Sequence, residues 1–156
     1  MSKFVKDTKY VYGWSKVDSK GKITIPIEAR KKYNLGDAKK VFLIPSVRRS
    51  GGFGVATEES LKNSPLAKRV LNKNPQLADY KLNEGEYIEI NGRPYCWVKL
   101  HSDGSFNVPE ETLKRFKINP GEDLLLMKRS NLALGFLAQG PIIKEAKKHS
   151  ELKKFD

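Results

Sequence analysis

The stretch Val17-Asp18-Ser19-Lys20-Gly21-Lys22-Ile23-Thr24-Ile25-Pro26 constrains this chain most, because the chain contains a second version of it. Leu100-His101-Ser102-Asp103-Gly104-Ser105-Phe106-Asn107-Val108-Pro109 repeats the pattern, and Gly21 to Gly104 is a displacement of 83 positions. Both versions alternate apolar and polar residues, close a polar turn with glycine, and carry proline where the strand should end. The offset holds without a gap through Trp14/Trp97, Lys16/Lys99, Glu28/Glu111, Lys31/Lys114, Gly52/Gly135 and Phe53/Phe136. Conservative matches (Tyr33/Phe116, Leu35/Ile118, Val41/Leu124, Leu43/Leu126) fill the space between. This is an internal duplication of about 40 residues. A unit of that size cannot bury its own apolar face, so two units must pair to close a core and cover strand edges.

Each unit reads as strand, turn, strand, short helix, strand and strand. Glycine in the turn takes a positive φ without steric cost. Ile23-Thr24-Ile25 alternates with β-branched residues, as a half-buried strand should. Pro26 removes a ladder donor and suits a helix start, predicting a helix from Ile27 to Tyr33 that ends at Asn34-Leu35-Gly36-Asp37. Val41 to Ile44 and Phe53 to Ala56 follow as strands, with Arg48 to Gly52 as a loop. Residues 1–13 form an arm, 14–56 the first repeat and 93–140 the second. Residues 57–92 are an insert: helical pieces opened by Thr57-Glu58-Glu59 and punctuated by Pro65 and Pro75, then a hairpin strand. Asn91-Gly92 between β-formers predicts that hairpin's turn. Residues 141–156 form a short helix opening near Pro141 and a tail expected to fray. Trp14, Trp97, Phe53 and Phe136 recur while the charges around them diverge, which favours packing in the barrel core over stacking of the tryptophans on bases.

The chain of 156 residues carries 30 Lys and Arg against 18 Asp and Glu, a net charge of +12. That excess implies a polyanionic partner, nucleic acid before an anionic membrane surface. It is uneven: residues 1–56 carry 13 cations and four acids, the middle is net −1, and residues 93–156 are net +4. Lys16, Lys20, Lys22, Arg30, Lys31 and Lys32, with Arg48 and Arg49, are therefore the candidate nucleic-acid contacts. Lys20 and Lys22 flank the first turn, and Arg30 sits on the helix adjoining it, where arginine suits bidentate contact to phosphate or a guanine edge. A solvated basic face is the bland alternative.

Other chemistry finds little support. One cysteine, Cys96, excludes an intramolecular disulfide and a cysteine-rich zinc site. His101 and His149 have no ligand spacing, and Glu110-Glu111 suits a first helical turn. No phosphate loop, nucleophile elbow or zinc-protease motif occurs. No enzyme activity, metal or cofactor is expected. Without a signal-peptide core or an apolar run of about 18 residues, a soluble cytoplasmic protein is the default.

Asp-x-x-Gly-Lys-Ile-Thr-Ile-Pro, a short basic helix, a Leu-Gly-Asp turn and an apolar strand together resemble the AbrB/MazE/SpoVT DNA-binding domain. Two copies in one chain resemble MraZ-like proteins. The resemblance covers residues 14–56 and 97–137, with Lys22 standing where that family usually has arginine. It implies a mainly β protein with short helices: a double-psi/swapped-hairpin β-barrel built from two internal repeats, plus the helical insert. It implies a sequence-specific transcriptional regulator that binds double-stranded DNA through the basic loop and helix of repeat 1. The partner copy would be the chain's own second repeat (an intrachain pseudo-dimer) or a second chain in a homodimer. A DNA-binding antitoxin and an RNA- or protein-binding barrel are the alternatives.

Overall fold

The computed structural model describes residues 11–33, 35, 39–45, 51–78, 81–128, 133–149 and 152–155. The first half contains β1 (Val11–Lys16), β2 (Lys22–Thr24), α1 (Ile27–Lys32), β3 (Lys40–Pro45) and β4 (Phe53–Ala56). Three helices follow: α2 (Glu58–Lys62), α3 (Pro65–Lys73) and α4 (Pro75–Ala78). The second half contains β5 (Ile88–Ile90), β6 (Arg93–Lys99), β7 (Ser105–Asn107), α5 (Glu110–Arg115), β8 (Asp123–Lys128) and β9 (Leu134–Leu137). It ends with α6 (Pro141–Ala146) and β10 (Lys154–Phe155). The protein is mainly β with short helices.

The duplication seen in sequence governs strand pairing. Trp14 pairs with Leu125 across β1 and β8, and their counterparts 83 positions away, Trp97 and Phe42, pair across β6 and β3. The first strand of each half thus lies against the other half. Two further pairs join equivalent residues directly: Ile23 to Phe106 across β2 and β7, and Phe53 to Phe136 across β4 and β9. An internal twofold relation therefore runs through both pairs. Turn bonds obey it too: Val17 N donates to Glu122 O at 2.9 Å and Leu100 N to Lys39 O at 2.9 Å.

The expected closed barrel is not formed by the hydrogen-bonded strands. One sheet of eight runs β10-β1-β8-β9-β4-β3-β6-β5, and β2 with β7 makes a separate two-stranded ribbon. The ribbon is short because Pro26 and Pro109, just beyond it, lack the N–H a ladder needs. Ile23 and Phe106 turn inward from it and are fully buried beside Phe53 and Phe136.

The sheet has apolar residues on both faces, which explains the unbroken apolar runs in β3 and β8. Val41, Leu43, Leu124 and Leu126 face the central core. Phe42 and Leu125, between them, face outward into two satellite clusters. Trp97 joins Phe42 beneath α2–α4, and its indole donates to Leu82 O at 2.9 Å. Trp14 joins Leu125 beneath α6, with Ile143 and Ala146. Both tryptophans are buried as expected, but in clusters on the outer faces of the sheet and not in the central core. Their equivalence reflects equivalent coverings: Glu58 and Pro141, which open α2 and α6, also stand 83 positions apart.

The insert folds as its sequence indicates. Thr57 Oγ1 accepts from Ser60 N at 3.0 Å, capping α2, and prolines occupy the starts of α3 and α4. Asn91 (φ 55°) and Gly92 (φ 76°) form the β5–β6 turn. The tail departs from expectation: Lys154–Phe155 pairs in parallel with Trp14 and Ser15, and Trp14 N donates to Lys153 O at 2.7 Å. Gly13 permits this approach, since a Cβ there would stand 2.4 Å from Lys153 O. Among the described strands, β10 thereby covers the outer edge of β1.

Candidate nucleic-acid interface

The two glycine turns share one backbone scaffold. Asp18 N donates to Lys22 O and Gly21 N to Asp18 O, each at 3.1 Å. His101 N to Ser105 O and Gly104 N to His101 O repeat this at 2.9 Å. Each turn is locked by the opposite half: Val108 N donates to Gly21 O at 3.0 Å, and Ile25 N to Gly104 O at 2.8 Å. A Cβ on Gly21 would meet Val108 O at 2.2 Å, so glycine is required by close approach as well as by φ.

Side chains then make the turns different. Asp18 Oδ1 accepts from Lys20 N and Lys22 N, both at 2.8 Å. Those bonds, Lys22 first and Lys20 second, hold its carboxyl below the usual aspartate range. In the second turn the acid moves to Asp103, whose Oδ1 accepts from Ser105 Oγ at 2.6 Å and Ser105 N at 2.9 Å. The Ser105 hydroxyl and then its amide hold that carboxyl low, with Lys22 and His101 adding positive potential. The first turn therefore offers outward lysines, and the second an outward carboxylate.

Lys20 and Lys22 are exposed, and Lys22 stands opposite the exposed Asn107 in the ribbon. Lys31 and Lys32 are exposed on α1, and Lys16 at the end of β1. The sequence places Arg30 beside the first turn, but its guanidinium lies against the second: Nη1 donates to Ser102 O at 3.3 Å. A Cβ on Gly104 would approach Arg30 Nε to 2.7 Å. The crossing of the halves explains the difference, because each helix packs over the partner half's turn. Leu113, the counterpart of Arg30, accordingly lies over Gly21, with Cδ1 3.6 Å from the position of an added Cβ. Arg48 and Arg49 lie outside the described residues.

None of Lys16, Lys20, Lys22, Arg30, Lys31 and Lys32 forms an ion pair with another described residue. Repeat 2 differs at the same positions. Lys114 approaches Glu110 at 3.8 Å, Arg115 pairs with Glu89 at 2.7 Å, and Leu113 is buried. Lys40 stands 4.9 Å from the Trp97 ring, a cation–π contact that gives it a structural role.

Among the described residues no group of three His, Cys, Asp or Glu side chains could hold a metal, and no helix is long and apolar enough to cross a membrane. Cys96 is buried, and burial pushes its thiol pKa far up, so the sulfur is an inert core atom. A second basic cluster escaped the sequence reading: Arg93, Arg115 and Lys117 line one cleft. Part of its signal was available, since Lys117 stands where the repeat pattern has Asn34 in repeat 1. Compared with known proteins, the chain matches no protein-family model and no curated protein.

Proposed function

We propose that this protein binds duplex DNA as a sequence-specific transcriptional regulator, with repeat 1 supplying the contacting face and no enzymatic activity. The observation that carries the reading is the asymmetry of two otherwise equivalent halves. Five cations of repeat 1 (Lys20, Lys22, Arg30, Lys31, Lys32) have no acidic partner among the described residues, whereas their repeat 2 counterparts are acidic, polar, buried or paired. A structural requirement for these charges would act on both halves alike; recognition of an anion need act on only one.

A two-stranded β-ribbon fits the major groove of B-DNA. Lys22 and Asn107 project from adjacent strands of such a ribbon, and they carry the group types that read guanine and adenine edges respectively. Lys31 and Lys32 would add phosphate contacts that position the ribbon. The exchanged first strands and the central ribbon support a swapped-hairpin unit of the AbrB type, the chain supplying both halves. A cytoplasmic location and homodimerisation belong to the same proposal.

The test is selection of bound sequences from a random duplex pool, followed by titration of the selected site at several salt concentrations. Lys20→Ala with Lys22→Ala, and Lys31→Ala with Lys32→Ala, should each weaken binding and reduce the salt slope by about one to two. Selection of no sequence, or equal affinity in both double variants, overturns the reading. Tighter binding to a single-stranded RNA pool than to the duplex would favour an RNA-binding role.

A further inference from the structure

We infer that the cleft between the end of α5 and the β5–β6 turn is a binding site for a phosphate group. The cleft, about 400 Å³, is lined by Arg93, Arg115 and Lys117 together with the Gly51-Gly52 and Asn91-Gly92 turns. No carboxylate is among its described lining residues. Glu89, outside the lining, binds Arg115 Nη2 at 2.7 Å.

Arg115 is held in place before any ligand arrives. Beyond the Glu89 pair, its Nη2 donates to Gly92 O at 3.3 Å, and its guanidinium carbon stands 5.8 Å from the Tyr87 ring centre. Its Nε–H is buried with no acceptor among the described residues, so these partners leave the guanidinium's donors incompletely used.

Lys117 supplies an independent observation. It has φ 62°, a left-handed conformation that glycine or asparagine adopts at a helix end with far less strain. The equivalent residue of repeat 1 is Asn34. A lysine in that conformation is suboptimal for the turn, while its cation lines the cleft and has no partner among the described residues. Strain retained where a charge is displayed points to recognition. Neighbouring backbone follows suit, since Gly51 (φ 60°) and Gly52 (φ 75°) bring main chain close on the facing wall. The opposite half does not repeat the three cations: Arg93, Arg115 and Lys117 correspond to Tyr10, Lys32 and Asn34.

The source of the phosphate is either a small phosphorylated molecule or the backbone of a nucleic acid, and the test has an arm for each. Inorganic phosphate, and AMP against adenosine, are titrated into the full chain at constant ionic strength, following the amide signals of Gly51, Gly92 and Lys117. Saturable shifts with phosphate and AMP, absent with adenosine and with chloride, are expected. Lys117→Gly and Lys117→Asn should each weaken phosphate binding about tenfold or more, while thermal stability stays level or rises. Lys31→Ala with Lys32→Ala should leave phosphate binding unchanged, separating this site from the proposed DNA face. In the nucleic-acid arm, a selected duplex that displaces phosphate and binds Lys117→Gly more weakly assigns the source to a backbone phosphate. A duplex that does neither assigns it to a small molecule. Non-saturable shifts, or phosphate binding equal in wild type and both Lys117 variants, overturn the inference.

Discussion

Phe53 and Phe136, 83 positions apart, are register partners across β4 and β9, and their rings stack at 5.2 Å. Phe106 meets both rings edge-on at 6.0 Å, so the internal twofold passes through an aromatic core. Phe53→Ala and Phe136→Ala should each cost about 3–5 kcal/mol in urea unfolding, by lost burial and a residual cavity. The double variant should lose less than the sum, because each single change already opens the shared space. Strict additivity would mean that the two rings do not share one packing unit.

The interlocked turns carry a second expectation. Gly21→Ala and Gly104→Ala force a Cβ into Val108 O (2.2 Å) and Ile25 O (2.7 Å), at φ of +83° and +85°. Both should destabilise by more than the ~1 kcal/mol of an ordinary glycine change, since strain and a clash with backbone act together. Gly92→Ala has the same backbone strain (φ 76°) but nothing within 4 Å of its Cβ, and should cost less than either. Equal losses at all three positions would show that contact between the halves adds nothing.

The two tryptophans offer a third. Trp97→Phe removes the indole bond to Leu82 O and should cost about 1–3 kcal/mol. Trp14 lies in a different cluster, so Trp14→Phe and Trp97→Phe should add within about 0.5 kcal/mol. Coupling above that value would contradict two separate coverings.

Much of this fold was legible because the chain states it twice. A repeat too small to close a core dictates pairing, and the ungapped offset from Trp14/Trp97 to Phe53/Phe136 fixed which positions are equivalent. What sequence could not convey was that β1 and β6 exchange partners, since strand order depends on contacts far apart in the chain. That exchange relocated Arg30 from its own turn to the Ser102–Gly104 turn, and the tryptophans from the centre to the outer faces. Nor could composition show that the tail residues Lys154 and Phe155 have a strand edge at Trp14 and Ser15 to join. The candidate cations Lys20, Lys22, Lys31 and Lys32 were legible because exposed lysine needs no tertiary context, whereas the basic cleft required Arg93 to meet Arg115 and Lys117 beside the distant Gly51-Gly52 turn.

Acid dependence follows from the turn carboxylates. Asp18 is held below the ordinary range by the amides of Lys22 and then Lys20, so its contribution is present above the unfolded value of about 3.9. It is lost as pH falls through the lower folded value. Asp103 behaves likewise through Ser105. Asp18→Asn should therefore be less stable than wild type at neutral pH, with the gap shrinking as pH drops below about 4. A gap that stays constant from pH 7 to 2 would show that the carboxylate charge contributes nothing to the turn.

The unequal pair Arg30 and Leu113 separates fold from recognition most directly. Both occupy the same helical position over the opposite half's turn, yet Leu113 is 1% exposed within the core while Arg30 carries a buried Nε without a described partner. Arg30→Leu should therefore leave stability unchanged or raise it slightly, because it removes an unsatisfied donor and adds apolar contact. Leu113→Arg should be severely destabilising, because it drives a guanidinium into the packed space above Gly21. If the repeat 1 face reads DNA, Arg30→Leu should still weaken binding to a selected duplex by about 1–3 kcal/mol, the range of a lost arginine contact. Urea unfolding and fluorescence anisotropy on the same preparations decide the matter. Unchanged duplex affinity would make Arg30 a prop for the second turn, and a stability loss above about 1 kcal/mol would make it part of the fold.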